Sequence, residues 1–206
     1  MRSTKVSQRP RKRFGKYLSI CALLGAAWGA QAQSYYSELV VFGDSLLDSG
    51  NYGADRRATN QLTDGSGQFA KISPQFLAEF LGLDLLPAIE SGTNYAVGGY
   101  QTQDVLDSIN GPGINTAVFG GGISPAYLDQ RGNQTNPRAL VFINGGGNDL
   151  NAIFASVAPA AVPAAISDRV SNFNASVTAL HEAGASYIMV SNVPDLSLTP
   201  GPQAAL

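Results

Sequence analysis

The feature that most constrains this chain is a set of short runs that are apolar at nearly every position, each stopped by a polar turn. Glu38–Phe42 runs into Gly43-Asp44-Ser45, Arg138–Ile143 runs into Asn144-Gly145-Gly146-Gly147, and Ser186–Ser191 forms a further run. A strand with one wet face alternates apolar and polar residues. A strand that is apolar throughout has both faces covered, as in a parallel sheet between helical layers. The covering elements are legible as well. Ser73-Pro74 opens a helix, with Ser73 as its cap and Pro74 in its first turn. Phe76, Leu77, Phe80 and Leu81 recur at helical spacing, and Gly82 ends the run. Pro163 to Glu182 predicts a long helix ended by Gly184, with Ile166, Val170, Phe173, Val177 and Leu180 on one apolar face. Thr93–Val97 reads as a second short strand, and residues 111–122 and 132–137 read as loops. The expected architecture is an α/β three-layer sandwich.

Charge separates the chain into two parts. Of its 13 Lys and Arg, seven lie within the first sixteen positions, and none of its 15 Asp and Glu precedes Glu38. A basic start, an apolar run from Tyr17 to Ala30 and the small-x-small sequence Ala30-Gln31-Ala32 predict a signal peptide over residues 1–32. The apolar run has 14 residues, and a membrane span takes about 20. Cys21 follows the bulky Ile20 in the middle of this run, which argues against lipoprotein processing, and Lys12 separates Arg11 from Arg13, so there is no twin-arginine signal. Sec-type export is expected, to the periplasm, the medium or the outer-membrane surface. Residues 33–206 then form one acidic domain without cysteine, which excludes a disulfide framework and Cys-based metal sites. Its acidity argues against nucleic-acid binding.

In a parallel α/β sheet, the residues just past the strand C-termini share one rim, where ligands bind. Here that rim carries Gly43-Asp44-Ser45 after the first strand, Gly98-Gly99 after the second and Gly147-Asn148-Asp149 after the third. Ser45 is expected at a strand-to-helix turn, with its hydroxyl exposed and its N–H near a helix N-terminus, where an anion is favoured. Gly99 offers an N–H unhindered by a side chain, and Asn148 offers an uncharged amide donor. Such donors around a serine hydroxyl make an oxyanion hole for acyl transfer, where losing one typically costs about 10²–10³ in turnover. The same residues also fit a plain tight turn at Gly98-Gly99 and a helix cap at Asn148-Asp149. Asp44 and Asp48 read as braces of the first turn, and Asp149 as structural.

Val41-Phe42-Gly43-Asp44-Ser45-Leu46-Leu47-Asp48-Ser49-Gly50-Asn51, Gly92-Thr93-Asn94-Tyr95-Ala96-Val97-Gly98-Gly99 and Gly145-Gly146-Gly147-Asn148-Asp149 resemble, in order, three blocks of the GDSL/SGNH esterases and lipases. Val193–Pro200 resembles the stretch after the family's fourth strand. The resemblance implies the SGNH hydrolase fold, a flavodoxin-like parallel sheet between helices, with its C-terminal part missing from this chain. It implies Ser45 as nucleophile and the Ser45 N–H, an N–H of Gly99 and the Asn148 side chain as oxyanion donors, although either Gly98 or Gly99 falls at the family position. It implies a small-molecule or lipid ester as substrate and no cofactor or metal. The sequence is similar to passengers of autotransporter esterases, which implies a downstream membrane β-barrel in a complete gene product. The elbow G-x-S-x-G of other hydrolases is absent, and no Gly-Lys-Ser/Thr follows the glycines to make a phosphate loop.

One component is lacking. A serine hydroxyl needs a base to take its proton. The family keeps that base and its acidic partner in a late D-x-x-H block, and no such block occurs here. The chain's single His, His181, has Thr178 three residues before it. His181 falls at the C-terminal end of the long helix, which places it on the rim opposite Ser45. Asp195 is on the Ser45 rim but has no His to orient. The expectation is therefore an N-terminal fragment of an exported serine ester hydrolase, inactive alone. The alternative is a non-catalytic glycan- or lipid-binding module on the same fold.

Overall fold

The structure, a computed structural model, describes residues 35–53, 58–193 and 195. The leader expected over residues 1–32 lies outside them, as does most of the Val193–Pro200 stretch. In chain order the described elements are β1 (Glu38–Phe42), α1 (Ser73–Leu81), α2 (Thr102–Asn110), β2 (Ile114–Asn115), β3 (Ile123–Ser124), α3 (Tyr127–Gln130), β4 (Ala139–Ile143), α4 (Gly147–Ser156), α5 (Val162–Glu182) and β5 (Tyr187–Val190).

The main sheet has the order β1-β4-β5 and is parallel throughout, with Phe42 opposite Ile143 and Ile143 opposite Val190. Side chains alternate across such a sheet, so the apolar runs feed two cores. Val40, Phe42, Val141 and Ile143 pack with Val105 and Ile109 of α2, Tyr127 of α3 and Leu180 of α5. Leu39 and Val41 point the other way and pack with Ala78 of α1, Leu85 and Ala96. Helices thus cover both faces, which is the three-layer α/β arrangement expected from unbroken apolar strands. Phe42 stacks on Tyr95 at 5.4 Å and meets Tyr127 edge-on at 5.5 Å, at the centre of the larger core.

Several local expectations change. Ser73 does not cap α1. Ile72, in an extended conformation, is the N-cap residue, and its N–H donates to the Gln75 side chain at 3.1 Å, so Ser73 is already helical. Gly82 does end α1, left-handed at φ 67°. Thr93–Val97 is extended beside β1, with Tyr95 N–H donating to Val41 O and Val97 N–H to Gly43 O, yet it forms only isolated bridges. On its other edge the Asn94 Oδ1 accepts the Ala96 N–H at 3.0 Å. Residues 111–122 include β2 and part of an antiparallel ribbon with β3. Helix α2 was not legible because two of its four buried positions are the polar Thr102 and Ser108, which mask the apolar period.

The apolar face of α5 divides along its length. Leu180 is fully buried and Phe173 and Val177 pack on the core, whereas Ile166 is 37% and Val170 52% exposed. The two halves of one stripe meet different surroundings.

Phe42 is fully buried and Phe80 is 86% exposed. Phe42→Ala is expected to lower unfolding stability by about 3–5 kcal/mol. Phe80→Ala is expected to change it by no more than about 0.5 kcal/mol. Urea unfolding of both variants checks the contrast.

Candidate active site

The rim is assembled by backbone pairing. Val97 N–H donates to Gly43 O at 3.0 Å, Asn144 N–H to Phe42 O at 3.1 Å and Ser191 N–H to Ile143 O at 3.1 Å. These bonds align the ends of four extended segments, and the turns that follow come together.

The turn after β1 depends on close approach. A Cβ on Gly43 would lie 1.8 Å from Asn144 Oδ1, so no side chain fits there. Into that space the two turns reach for each other. Asp44 N–H donates to Asn144 Oδ1 at 3.1 Å, and Asn144 Nδ2 donates to Asp44 Oδ1 at 3.3 Å. The same carboxylate oxygen accepts the Leu46 N–H at 3.0 Å. Asp44 therefore shapes the turn that presents Ser45.

Asp48 does more than brace its own turn. Buried at 1% exposure, it accepts the N–H groups of Gly50 and Asn51 at 2.7 Å and of Tyr52 at 3.2 Å. Its Oδ2 also accepts the Gly98 N–H at 2.9 Å, which ties the first turn to the second. Asn51 and Asn94 complete this buried network. Asn51 Nδ2 donates to the carbonyls of Asn94 and Ala96, and Asn94 Nδ2 donates to Leu47 O.

Ser45 is half-buried and lines a cleft of about 230 Å³ with Asn144, Gly147, Asn148 and Asn192. Neither its hydroxyl nor its N–H bonds to another described residue. Among the described residues no helix starts directly after Ser45; residues 45–47 form a turn. The helix N-terminus expected beside Ser45 is instead supplied by α4, whose first residues, Gly147 and Asn148, line the cleft. Its unpaired N–H groups and dipole favour negative charge there.

Asn148 Nδ2 donates to Tyr100 O at 2.8 Å, leaving its second amide hydrogen uncommitted by this bond. The Gly98–Tyr100 loop is thus held at both ends, by Asp48 at Gly98 and by Asn148 at Tyr100. Gly99 sits between these anchors at φ 86°, exposed, with its N–H unbonded among the described residues. Ser45 and Asn148 share a cleft, while Gly99 is not part of that lining but is tethered to it through Tyr100. The Tyr100 phenol is pushed well above its ordinary range, chiefly by burial and then by Asp104, Asp107 and Asp48. It stays protonated at neutral pH and offers no base.

Asp149, also in the first turn of α4, is buried. It accepts the Thr102 N–H at 2.9 Å and hydroxyl at 3.0 Å and pairs with Arg169 Nε at 3.2 Å. Its place is structural, joining α2, α4 and α5. Asn144 and Asn192 were not singled out from the sequence. The signal for Asn144 was available, since it directly follows an apolar strand on the same rim.

The profile of the GDSL-like lipase/acylhydrolase family matches residues 39–205. The chain belongs to that family. It is 40% identical over 82% of its length to an uncharacterised protein of the trpE-trpG intergenic region of Pseudomonas putida. It is 34% identical over 80% of its length to Lipase 1 of Photorhabdus luminescens, and 36% identical over 89% to esterase EstA of Pseudomonas aeruginosa. The matches cover 30%, 23% and 32% of those proteins, so the chain spans about a quarter to a third of the relatives' length.

The only histidine of this GDSL-like chain is far from the cleft. His181 is exposed in the last turn of α5. The adjoining Leu180 and Ala183 carbonyls accept bonds from Thr135, which precedes β4, whereas the cleft follows β4. Five residues of strand separate the two ends, about 16 Å at 3.3 Å per residue.

Asp48→Asn removes the charge and turns an acceptor into a donor facing backbone N–H groups. It is expected to cost at least about 2 kcal/mol of stability. Asp129→Asn, at an exposed carboxylate, is expected to stay within about 0.5 kcal/mol. Thermal melts of the two variants provide the measurement.

Proposed function

We propose that the chain carries the nucleophile and anion-stabilising half of an exported serine ester hydrolase. The observation that supports this best is the cleft itself, which Ser45, unbonded among the described residues, lines together with Gly147 and Asn148 at the start of α4. In this reading the Ser45 Oγ attacks an ester carbonyl, and the resulting oxyanion is held by the N–H groups of Ser45 and Gly99 and by Asn148 Nδ2. Gly98 is a poor candidate for that role because its N–H is committed to Asp48. The alcohol leaves, and water then hydrolyses the acyl-enzyme.

The relatives named lipase and esterase support ester substrates for this chain. The basic and apolar leader ending in Ala30-Gln31-Ala32 supports Sec-type export. The base belongs to a D-x-x-H block that these 206 residues do not contain, and His181 lies at the wrong end of the sheet to replace it.

Purified chain and its Ser45→Ala variant, assayed on a short-chain aryl ester, test this reading. Expected turnover is far below the roughly 1–10³ s⁻¹ of ordinary enzymes. Added imidazole, a diffusible base, should raise the rate of the unaltered chain more than that of Ser45→Ala. Ordinary turnover without imidazole would overturn the missing base. Identical behaviour of the two proteins with imidazole would instead support a non-catalytic glycan- or lipid-binding module.

A further inference from the structure

One long stretch of this acidic domain carries no charge. Between Asp107 and Asp129 there is no Lys, Arg, Asp or Glu. The stretch contains the β2–β3 ribbon and the turn at its tip. The ribbon buries Ile114 and Ser124 and turns the paired Asn115 and Ile123 outward. Ile123 is 67% exposed, Val118 in the turn is 83% exposed, and Phe119 beside it is exposed as well. Single exposed apolar residues are ordinary, whereas a group of them on one turn marks a contact surface.

The tip is held from beneath. The buried Thr116 hydroxyl donates to Asn51 O and accepts the Gly122 N–H at 3.1 Å. Thr116 O accepts the N–H groups of Phe119 at 2.9 Å and Gly121 at 3.1 Å. A Cβ on Gly121 would lie 2.4 Å from Asn51 O, so the tip rests on the first turn without room for a side chain there. The Phe119 ring stacks on Tyr52 at 4.9 Å. Order built in beforehand leaves less entropy to lose on binding.

The occupant can be chosen on chemistry. Residues 117–123 are Ala-Val-Phe-Gly-Gly-Gly-Ile, with no side-chain hydrogen-bonding group. Protein interfaces carry about one hydrogen bond per 100–200 Å² and bury about 800 Å² per partner. A turn with three apolar side chains suits neither condition, but it suits entry into lipid. Charge then selects the lipid. Ile123 shares a hollow of about 360 Å³ with Tyr100, Asp104 and Asp107. Those carboxylates repel an anionic surface and attract one whose outermost groups are cationic. The ribbon also packs on Ile89, whose segment flanks β1 on the edge away from β4, while the sheet ends at β5 on the other side.

We propose that the tip of the β2–β3 ribbon docks the protein on a zwitterionic choline-lipid surface, with Val118 and Ile123 inserted and Asp104 and Asp107 facing the ammonium layer. Docking there would place the lipid beside the Gly98–Tyr100 loop, since Tyr100 and Ile123 line the same hollow.

Tryptophan fluorescence with phosphatidylcholine vesicles tests this. Trp28→Phe removes the only Trp of the chain, and Val118→Trp or Phe80→Trp then reports from one site. Phe80 is just as exposed but lies on α1, which covers the other face of the sheet. The probe at position 118 should shift to the blue and be quenched by chain-brominated lipid, and the probe at position 80 should not. Adding Ile123→Asp, at an exposed position, should raise the lipid needed for half-quenching at least about tenfold. Replacing a third of the lipid by phosphatidylglycerol should also raise it. Equal quenching at the two positions, no quenching at 118, or a stronger response to the anionic vesicles would overturn the proposal. A dimer in gel filtration that Ile123→Asp dissociates, without quenching by lipid, would overturn it in favour of a second copy on the tip. Ser45→Ala should leave the quenching unchanged, so docking stands or falls separately from the hydrolase reading.

Discussion

The near-contact of Gly43 with Asn144 is the constraint on which the rest of the site depends. Parallel pairing brings the ends of β1 and β4 level, and the missing side chain at position 43 lets Asn144 occupy the space between them. The Asn144 amide then bonds the backbone and the carboxylate of Asp44. This reciprocal pair fixes the turn bearing Ser45 relative to the turn leading into α4. Ser45 and Asn148 share a cleft because of it, although 103 positions separate them in the sequence.

Around this junction the protein uses buried polar groups as fasteners. Asp48 gathers four backbone N–H groups, and Asn51 and Asn94 link their turns to neighbouring carbonyls. Buried polar atoms cost free energy unless bonded, so a network of this kind favours one arrangement over near alternatives. The Gly98–Tyr100 loop shows the effect. Its ends are pinned by Asp48 and Asn148, and the Gly99 N–H between them is left available.

Much of the fold was legible because burial imposes it locally. The apolar runs at Glu38–Phe42 and Ala139–Ile143 needed two covered faces, and the α5 periodicity needed an apolar partner. The illegible parts are those where polar residues take core positions. Thr102 and Ser108 hid α2. In the site, residue types at the ends of apolar runs pointed to Ser45, Gly99 and Asn148. Nothing local indicated that the Asp48 carboxylate would reach Gly98, or that α4 rather than a helix after Ser45 would face the cleft.

The sequence by itself determined the layered α/β class, the family and the set of polar turns, because periodicity and glycine placement act over a few residues. It also showed that these 206 residues contain no D-x-x-H block. Only the tertiary structure decided which glycine N–H remains unbonded, which helix end faces Ser45 and where the outer half of the α5 stripe lies. Those outcomes rest on contacts between segments many tens of residues apart, and no local pattern encodes them.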